Sequence, residues 1–476
     1  MGFGKHHWFE LSVALGLLSG CGSEGEAATP DPDARPIATE AGFVELAPRQ
    51  VTIHDRTVSI EATSKIFYNF RPAESEAEKK PLIVLFNGFA SDVVRAFGTG
   101  PTTVAADGSV VGNSESLTRF ANLLYIEPRQ SGFSYDVTDG SAPTAADCSQ
   151  DVFSEYVDAA DVLLATLRFL RAHPTLQGPV YWMGESYAGV RITWIVAYLR
   201  GAWSLVPYQD DALRAELAPL ARDRLLAGQI LLQPWLAGSA HAIAIQAACK
   251  DSSLLAAVQA SVIEACSTAD ACQCASEFGR SPYNYTLSKV EQDARIFAAD
   301  AAQVSPDLAE ALYGVRFENI PGLRGGERAR GFKCSTADGE TPDQSALVSL
   351  LGVLPIGQFY NLAYSPLTTG KGSTDPDWRR KTLVGTAFLD NVRAVGALIT
   401  DGARDLVVPE IALASALRAV SGNIAVSETA SELALGSANG MRPVAIRHYA
   451  NAGHMITMIE PKAFADDLRA WLSPLK

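Results

Sequence analysis

A serine flanked by small residues stands between two apolar stretches of this 476-residue chain. Ser186 follows the apolar run 180–183 and precedes a second apolar run, 192–199, whose length is typical of a helix. The segment 184–188 reads G-E-S-Y-A, one small residue away from the G-x-S-x-G pattern that places a serine hydroxyl on a sharp strand-to-helix turn. We therefore predict that Ser186 is a catalytic nucleophile.

A serine hydroxyl attacks efficiently only when a neighbouring base takes its proton, so partners for Ser186 must lie elsewhere in the chain. His454 is the predicted base because it follows a glycine in a loop. Asp405 is predicted to orient the imidazole, which completes the order Ser, Asp, His. His448 and Asp401 compete for these roles, but we interpret them as a half-buried strand histidine and a turn residue.

Short apolar runs separated by helical stretches predict an α/β fold with a mostly parallel central sheet covered by helices. The expected strands are 51–60, 65–70, 82–86, 122–126, 180–183, 229–232, 397–400 and 444–449. The strand rhythm is lost in the middle of the chain, which we interpret as a cap over the site. The predicted boundaries are 1–21 signal peptide, 22–43 flexible tether, 44–237 first part of the core, 238–381 cap insertion and 382–476 second part of the core.

Composition limits the function classes. Apolar residues make up 47% and charged residues 19% of the chain, which is typical of a globular protein. The formal net charge of −14 argues against a nucleic-acid partner, because phosphates select basic surfaces. We expect no metal and no cofactor: the pair Cys272 and Cys274 lacks the usual zinc spacing and has no histidine nearby.

The N-terminus has the pattern of an export signal. Lys5 supplies positive charge, and the apolar run 11–18 is too short to span a bilayer as a permanent helix. The run ends in Leu-Ser-Gly-Cys, which resembles a bacterial lipobox, so we expect cleavage before Cys21 and lipidation of its sulfur. An ordinary secretory signal is the alternative. The chain is thus expected in the cell envelope, on the periplasmic or surface face, with the lipid anchor as its contact with the membrane.

Six cysteines remain once Cys21 is set aside, and an even number in an exported chain predicts disulfides. We expect three bridges, mostly within the predicted cap, with the pairing left open. The six are Cys148, Cys249, Cys266, Cys272, Cys274 and Cys334.

Four ordered blocks resemble the serine carboxypeptidases and their acyltransferase relatives, which have the α/β-hydrolase fold. The elbow G-E-S-Y-A-G at 184–189 is the first block. The others are N-L-L-Y-I-E at 122–127 with S-G-F-S-Y at 131–135, the acid loop D-G-A-R-D at 401–405, and A-G-H-M at 452–455. The resemblance covers the chain from about residue 82 to its end, except for the cap.

The resemblance also implies roles for the loop after the strand 82–86. The backbone N–H of Tyr187 is the standard oxyanion donor, and the family alignment gives Phe89 as the second. Asn87, Gly88 and Glu185 are implied to bind the C-terminal carboxylate of a peptide. The family places a second acidic residue where this chain has Gly98, so the acid pair of its relatives is incomplete here.

Three functions follow from these residues. The first is a serine carboxypeptidase that removes C-terminal residues from peptides through an acyl-serine intermediate. The second is an esterase or acyltransferase on the same scaffold, acting on a small ester. The third is a non-catalytic surface binding protein that keeps the fold.

Overall fold

A mixed β-sheet flanked by helices forms the centre of the molecule in the computed structural model. The structure describes residues 37–87, 98–105, 109–131, 133–149, 151–219, 222–234, 306–323, 331–332, 383–402 and 444–473. Residues Ala38–Lys476 belong to one structural unit.

The bounds of the strands and helices are as follows. The strands are β1 (Glu40–Leu46), β2 (Arg49–Ile53), β3 (Arg56–Ile60), β4 (Thr63–Arg71), β5 (Leu82–Asn87), β6 (Thr102–Val104), β7 (Val110–Gly112), β8 (Asn122–Ile126), β9 (Tyr135–Val137), β10 (Val180–Glu185), β11 (Tyr208–Gln209), β12 (Gly228–Leu232), β13 (Ala397–Gly402) and β14 (Val444–Tyr449). The helices are α1 (Glu155–Ala172), α2 (Ala188–Arg200), α3 (Asp211–Leu217), α4 (Arg222–Leu225), α5 (Pro306–Tyr313), α6 (Leu383–Val395), α7 (Ile456–Ile459) and α8 (Pro461–Leu472).

The main sheet has the strand order β1-β4-β8-β5-β10-β12-β13-β14, with β9 paired to β4. The six strands from β8 to β14 in this order are parallel, whereas β4 is antiparallel to both β1 and β8. Helices pack on this sheet, and the chain therefore has the predicted α/β-hydrolase fold. Because the six parallel strands share one direction, the residues after β10, β12 and β14 meet at one edge of the sheet.

Local sequence explains the elements nearest this edge. Strand β10 is apolar at Val180–Met183 and buried throughout, as a strand covered on both faces requires. Ser154 caps the N-terminus of helix α1, because its hydroxyl accepts a hydrogen bond from the Val157 N–H, and His173, which precedes a proline, caps the C-terminus. The bounds of β10 agree closely with the strand predicted over 180–183.

The N-terminal strands differ from the expectation. We expected one strand over 51–60, but a two-residue turn at His54 and Asp55 divides that stretch into the hairpin β2–β3. Both turn residues have positive φ, 46° and 65°, which matches the right-handed twist of a tight hairpin. With β11 the hairpin forms a separate three-stranded sheet. Strand β1 also begins at Glu40, inside the stretch that we predicted as a tether.

Several predicted features fall outside the described residues. They are the signal peptide with Cys21, most of the tether, and most of the cap. Helix α5 is the one α-helix of the predicted cap within the described ranges. The Asn69 amide on β4 donates to the carbonyl of Tyr313, the last residue of α5, at 3.1 Å. No helix in the described part of the chain is long and apolar enough to cross a membrane.

Candidate active site

Ser186 occupies a strained turn between β10 and α2. Its φ is +61°, a left-handed value that costs free energy in a non-glycine residue and is typical of a nucleophile elbow. The backbone N–H of Ser186 donates to the Leu232 carbonyl on β12 at 2.9 Å, and its carbonyl accepts from the Gly189 N–H at 2.9 Å. Two hydrogen bonds thus hold the predicted nucleophile at the carboxyl edge of the sheet.

The small residues around the elbow are required by its packing. A β-carbon at Gly184 would lie 2.5 Å from the Ala188 β-carbon and 3.2 Å from the ring of Phe86. Strand and helix therefore approach as closely as glycine at 184 permits. Because Gly184 provides this room, alanine fits at 188, where the common motif has glycine.

The predicted oxyanion donor Tyr187 is the cap residue of helix α2. Backbone N–H groups at a helix N-terminus point away from the helix and favour developing negative charge. The Arg191 guanidinium lies 5.4 Å from the centre of the Tyr187 ring and 5.3 Å from that of Phe86. It also pairs with Asp158 on α1 at 2.8 Å. Arg191 thereby fixes the first turns of α2.

His454 is connected to the elbow through strand β12. Gln233, the residue after β12, donates its side-chain N–H to the Gly453 carbonyl at 3.0 Å. Leu232, the residue before it, accepts the Ser186 N–H. The predicted base is only 2% exposed. The structure therefore brings the loops of Ser186 and His454 to the same edge of the sheet.

The loop after β13 passes close to the histidine loop. A β-carbon at Gly402 would lie 2.5 Å from the Gln233 amide nitrogen and 2.6 Å from the Ala452 and Gly453 carbonyls. This contact places Gly402, the last residue of β13, against the loop that carries His454. The predicted acid, Asp405, lies three residues further on, outside the described residues.

The two competing candidates contact each other. Asp401 and His448 are register partners on β13 and β14, and the Asp401 carboxylate lies 3.1 Å from the His448 Nδ1. Asp401 is thus a strand residue and not the turn residue that we expected. The His448 side chain is 48% exposed. The Asp401 carboxylate and the His448 imidazole are thus partners of each other.

The predicted carboxylate-binding segment is described in part. Glu185 and Asn87 are register partners at the ends of the parallel strands β10 and β5. The Glu185 side chain is buried next to the predicted nucleophile. The structure thus places the two backbone positions side by side. Gly88 and Phe89 lie outside the described residues.

Gly98 takes the position of the missing second acid, and it has no room for a side chain. Its φ is +91°, and a β-carbon would collide with the Thr457 carbonyl oxygen. The Asn113 amide donates to the Gly98 carbonyl at 3.0 Å and so holds this backbone in place. An acidic side chain could enter here only if the backbone moved.

Arg129 is engaged elsewhere. Its guanidinium donates to Asp161 at 2.6 Å and lies 3.4 Å from Asp136. The Glu127 carboxylate accepts from the Phe133 N–H and from the Tyr313 hydroxyl. The structure thus uses both side chains to fix the loop between β8 and β9. Within the described ranges, no group of three or more His, Cys, Asp or Glu side chains is placed to hold a metal ion.

Two residues of this site were missed by the sequence analysis, Arg191 and Gln233. Arg191 is a charged residue within the apolar run after the elbow, a signal that could have marked it. Gln233 is a polar residue directly after the apolar strand 229–232, at the edge where catalytic loops meet. Neither belongs to a motif, so only the fold shows what each contacts.

Comparisons with known proteins agree with the motifs. Residues 33–201 match the family model described as serine carboxypeptidase. Serine carboxypeptidase-like 44 of Arabidopsis thaliana is 27% identical over 196 residues, 39% of this chain and 38% of the relative. Serine carboxypeptidase-like 40 of the same plant is 31% identical over 140 residues, 28% of this chain and 26% of the relative. The chain thus spans less than half the length of these relatives.

Solved structures resemble the chain more distantly. A prohormone-processing carboxypeptidase from Saccharomyces cerevisiae has 14% identity and a TM-score of 0.46, over 91% of this chain and 90% of that one. The family match rests on residues 33–201, which include the elbow, Gly98 and the block 122–135. This part of the chain is therefore similar to the serine carboxypeptidase family.

Proposed function

We propose that this chain is a serine hydrolase of the carboxypeptidase type, which removes C-terminal residues from peptides. The observation that carries the proposal is the strained elbow at Ser186, built within the segment that matches the serine carboxypeptidase family. The buried His454 loop, tied to the same sheet edge through Gln233, supports it.

The proposed mechanism follows from the chemistry of these groups. His454 takes the proton of the Ser186 hydroxyl as its oxygen attacks the scissile carbonyl, and Asp405 stabilises the resulting imidazolium. The backbone N–H groups of Tyr187 and Phe89 hold the oxyanion. The C–N bond then breaks as His454 gives its proton to the leaving amine, which releases the C-terminal residue and leaves an acyl-serine. Water attacks the acyl-serine while His454 takes a proton from it, and His454 returns that proton to the Ser186 oxygen as the ester bond breaks and the shortened peptide leaves.

A second candidate is an esterase or acyltransferase acting on a small ester. The observation that favours it is the packing at Gly98, which excludes the acidic partner expected beside Glu185. Two carboxyl groups hold a carboxylate only when they share protons. Glu185, with Asn87 and Gly88, is therefore proposed to bind a substrate carboxylate weakly.

A fluorophosphonate probe tests the chemistry common to both candidates. We expect labelling of Ser186 in the wild type and none in Ser186→Ala, whereas the exposed Ser75→Ala variant should label normally. Labelling at another serine would contradict the assignment. No labelling of a folded wild type would favour the third reading, a non-catalytic surface binding protein.

Substrate choice separates the two candidates. The experiment compares kcat/KM for N-blocked dipeptides, their C-terminal amides and simple activated esters across pH, in wild type and Glu185→Gln. A preference for the free acid that Glu185→Gln removes would establish the carboxypeptidase. Equal rates for acid and amide, with faster ester turnover, would establish the esterase or acyltransferase.

We also propose that the mature chain begins at Cys21 and is anchored in a bacterial membrane through its lipid. The lipobox pattern supports the anchor. The disulfide-bonded state of Cys148, whose partner lies outside the described residues, supports bridges to the cap. Mass spectrometry of the native protein tests both: another unmodified N-terminus would exclude the anchor, and six free thiols would exclude the bridges.

A further inference from the structure

Gln233 contacts the backbone of strand β13 and of the loop that carries His454, and the residue before it, Leu232, contacts the backbone of Ser186. Gln233 is fully buried and has a left-handed φ of +45°, a conformation that costs free energy in glutamine. Its backbone N–H donates to the Thr400 carbonyl on β13 at 3.2 Å, and its side chain donates to the Gly453 carbonyl at 3.0 Å.

Because peptide groups are planar, these contacts restrict the positions of the neighbouring α-carbons. The Gly453 carbonyl belongs to the rigid peptide plane that ends at the α-carbon of His454. The Leu232 carbonyl belongs to the plane that ends at the α-carbon of Gln233, and it accepts the Ser186 N–H at 2.9 Å. Two rigid planes, joined by one buried glutamine, thus connect the backbone of Ser186 to that of His454.

We propose that Gln233 is a positioning residue that sets the distance between the Ser186 and His454 loops. Proton transfer from a serine requires hydrogen-bond distance to the base, and a displacement of about 1 Å can cost roughly 100-fold in rate. The donor on Gln233 holds the histidine loop against such a displacement. The inference rests on the proposed function, in which Ser186 is the nucleophile and His454 is its base.

Two substitutions separate this role from simple packing. Gln233→Leu keeps a similar volume but removes the donor. We expect kcat and the rate of fluorophosphonate labelling to fall about 10- to 100-fold, with KM within about twofold of wild type. The matched control is Gln229→Leu, which removes another fully buried glutamine, from the strand β12 that precedes Gln233, and should label at nearly the wild-type rate.

Gln233→Glu supplies a second test, the pH dependence of the labelling rate, which a purely packing role of Gln233 would not change. A protonated glutamic acid can donate to the Gly453 carbonyl, whereas its carboxylate only accepts hydrogen bonds and would repel that oxygen. The labelling rate of Gln233→Glu, divided by that of the wild type at each pH, should therefore recover as the pH falls from about 8 to about 5. Using the ratio removes the part of the pH dependence that both proteins share.

The outcomes distinguish this inference from the proposed function. If the wild type does not label at Ser186, the proposed function fails. If the wild type labels at Ser186 and Gln233→Leu labels at the same rate, the positioning role is wrong. If Gln233→Leu does not fold, Gln233→Glu decides, because a ratio that stays constant with pH would overturn the role.

Discussion

Gly184 is the residue on which the geometry of the elbow most directly depends. A methyl group there would meet the Ala188 β-carbon at 2.5 Å, so strand and helix would have to separate. We expect Gly184→Ala to lower kcat at least about 10-fold, since Ser186 and the Tyr187 N–H would both move. Ester hydrolysis and thermal unfolding measure the effect.

The matched control is Ala188→Gly, which restores the common motif and relieves no clash that glycine at 184 has not already removed. We expect this variant to keep its activity and to lose about 1 kcal/mol or less of unfolding free energy. Equal activity in Gly184→Ala and wild type would show that the close approach is not needed for catalysis.

Gly98 determines whether the acid pair of the relatives could be restored. Gly98→Glu introduces a side chain at a φ of +91° and drives its β-carbon into the Thr457 carbonyl. We expect the variant to unfold at a lower temperature and to gain no preference for free-acid peptides. The control is Gly140→Glu, whose φ of +110° is similar but whose surroundings are open. A folded Gly98→Glu protein with strong free-acid preference would contradict this.

Among single residues, the sequence predicted those that belong to a short contiguous motif. Ser186 lies in a contiguous pattern, and His454 follows a glycine in a recognisable block. The Gln233 contact was not predictable because its partner is 220 residues away along the chain. The partner of His448 was likewise not predictable from the sequence, because it depends on the register of β13 and β14, which pairs His448 with Asp401.

Among the elements, the buried parallel strands were the most predictable. Strands β8 and β14 have the predicted bounds. In β8 a continuous apolar run that ends before Glu127 matches a strand covered on both faces. The hairpin β2–β3 was missed because its turn, His54-Asp55, lacks the glycine that usually marks such turns. Its conformation depends on two non-glycine residues with positive φ.

Helices α1 and α2 meet at an acidic group, Glu155. Burial raises its pKa from 4.5 to about 7, and this outweighs the hydrogen bond from the Trp194 indole at 3.2 Å. A carboxyl whose pKa is higher in the folded state binds its proton more tightly there. It therefore destabilises the fold as the pH rises from about 4.5 through about 7.

We expect Glu155→Gln to remove this pH dependence. Its unfolding free energy should exceed that of wild type at pH 8, by at most about 3 kcal/mol, and approach it near pH 4. Urea unfolding across this range measures the difference, with the exposed Glu78→Gln variant as control. The argument would be refuted if the wild type were less stable at pH 4 than at pH 8 and Glu155→Gln had the same pH dependence.

Over the whole molecule, one buried carboxylate links the small N-terminal sheet to the main sheet. Asp161 on α1 pairs with Arg49 of β2 and with Arg129 of the loop after β8. Arg49 also pairs with Asp210, the cap residue of α3, at 2.9 Å. Because these side chains are nearly inaccessible to water, neither guanidinium could replace a lost partner with bulk solvent.

Removing this carboxylate should destabilise the fold as a whole. Asp161→Asn keeps the size of the side chain but leaves two buried guanidinium groups without their shared charge. The expected loss of unfolding free energy is about 3–5 kcal/mol. Urea unfolding at neutral pH measures it, with the exposed Asp139→Asn variant as control, for which we expect a change below about 0.5 kcal/mol.

The pH dependence of that loss distinguishes a charge effect from a packing effect. Burial raises the pKa of Asp161, but Arg129 and Arg49 lower it more, so the folded value lies below the ordinary 3.8. The stabilisation is therefore complete above pH 3.8 and disappears only as the pH falls through the lower folded pKa. Wild type and Asp161→Asn should differ by a constant amount from about pH 7 to about pH 4 and converge below that. A difference that persists unchanged at the lowest pH would mean that Asp161 stabilises the fold by shape and not by charge.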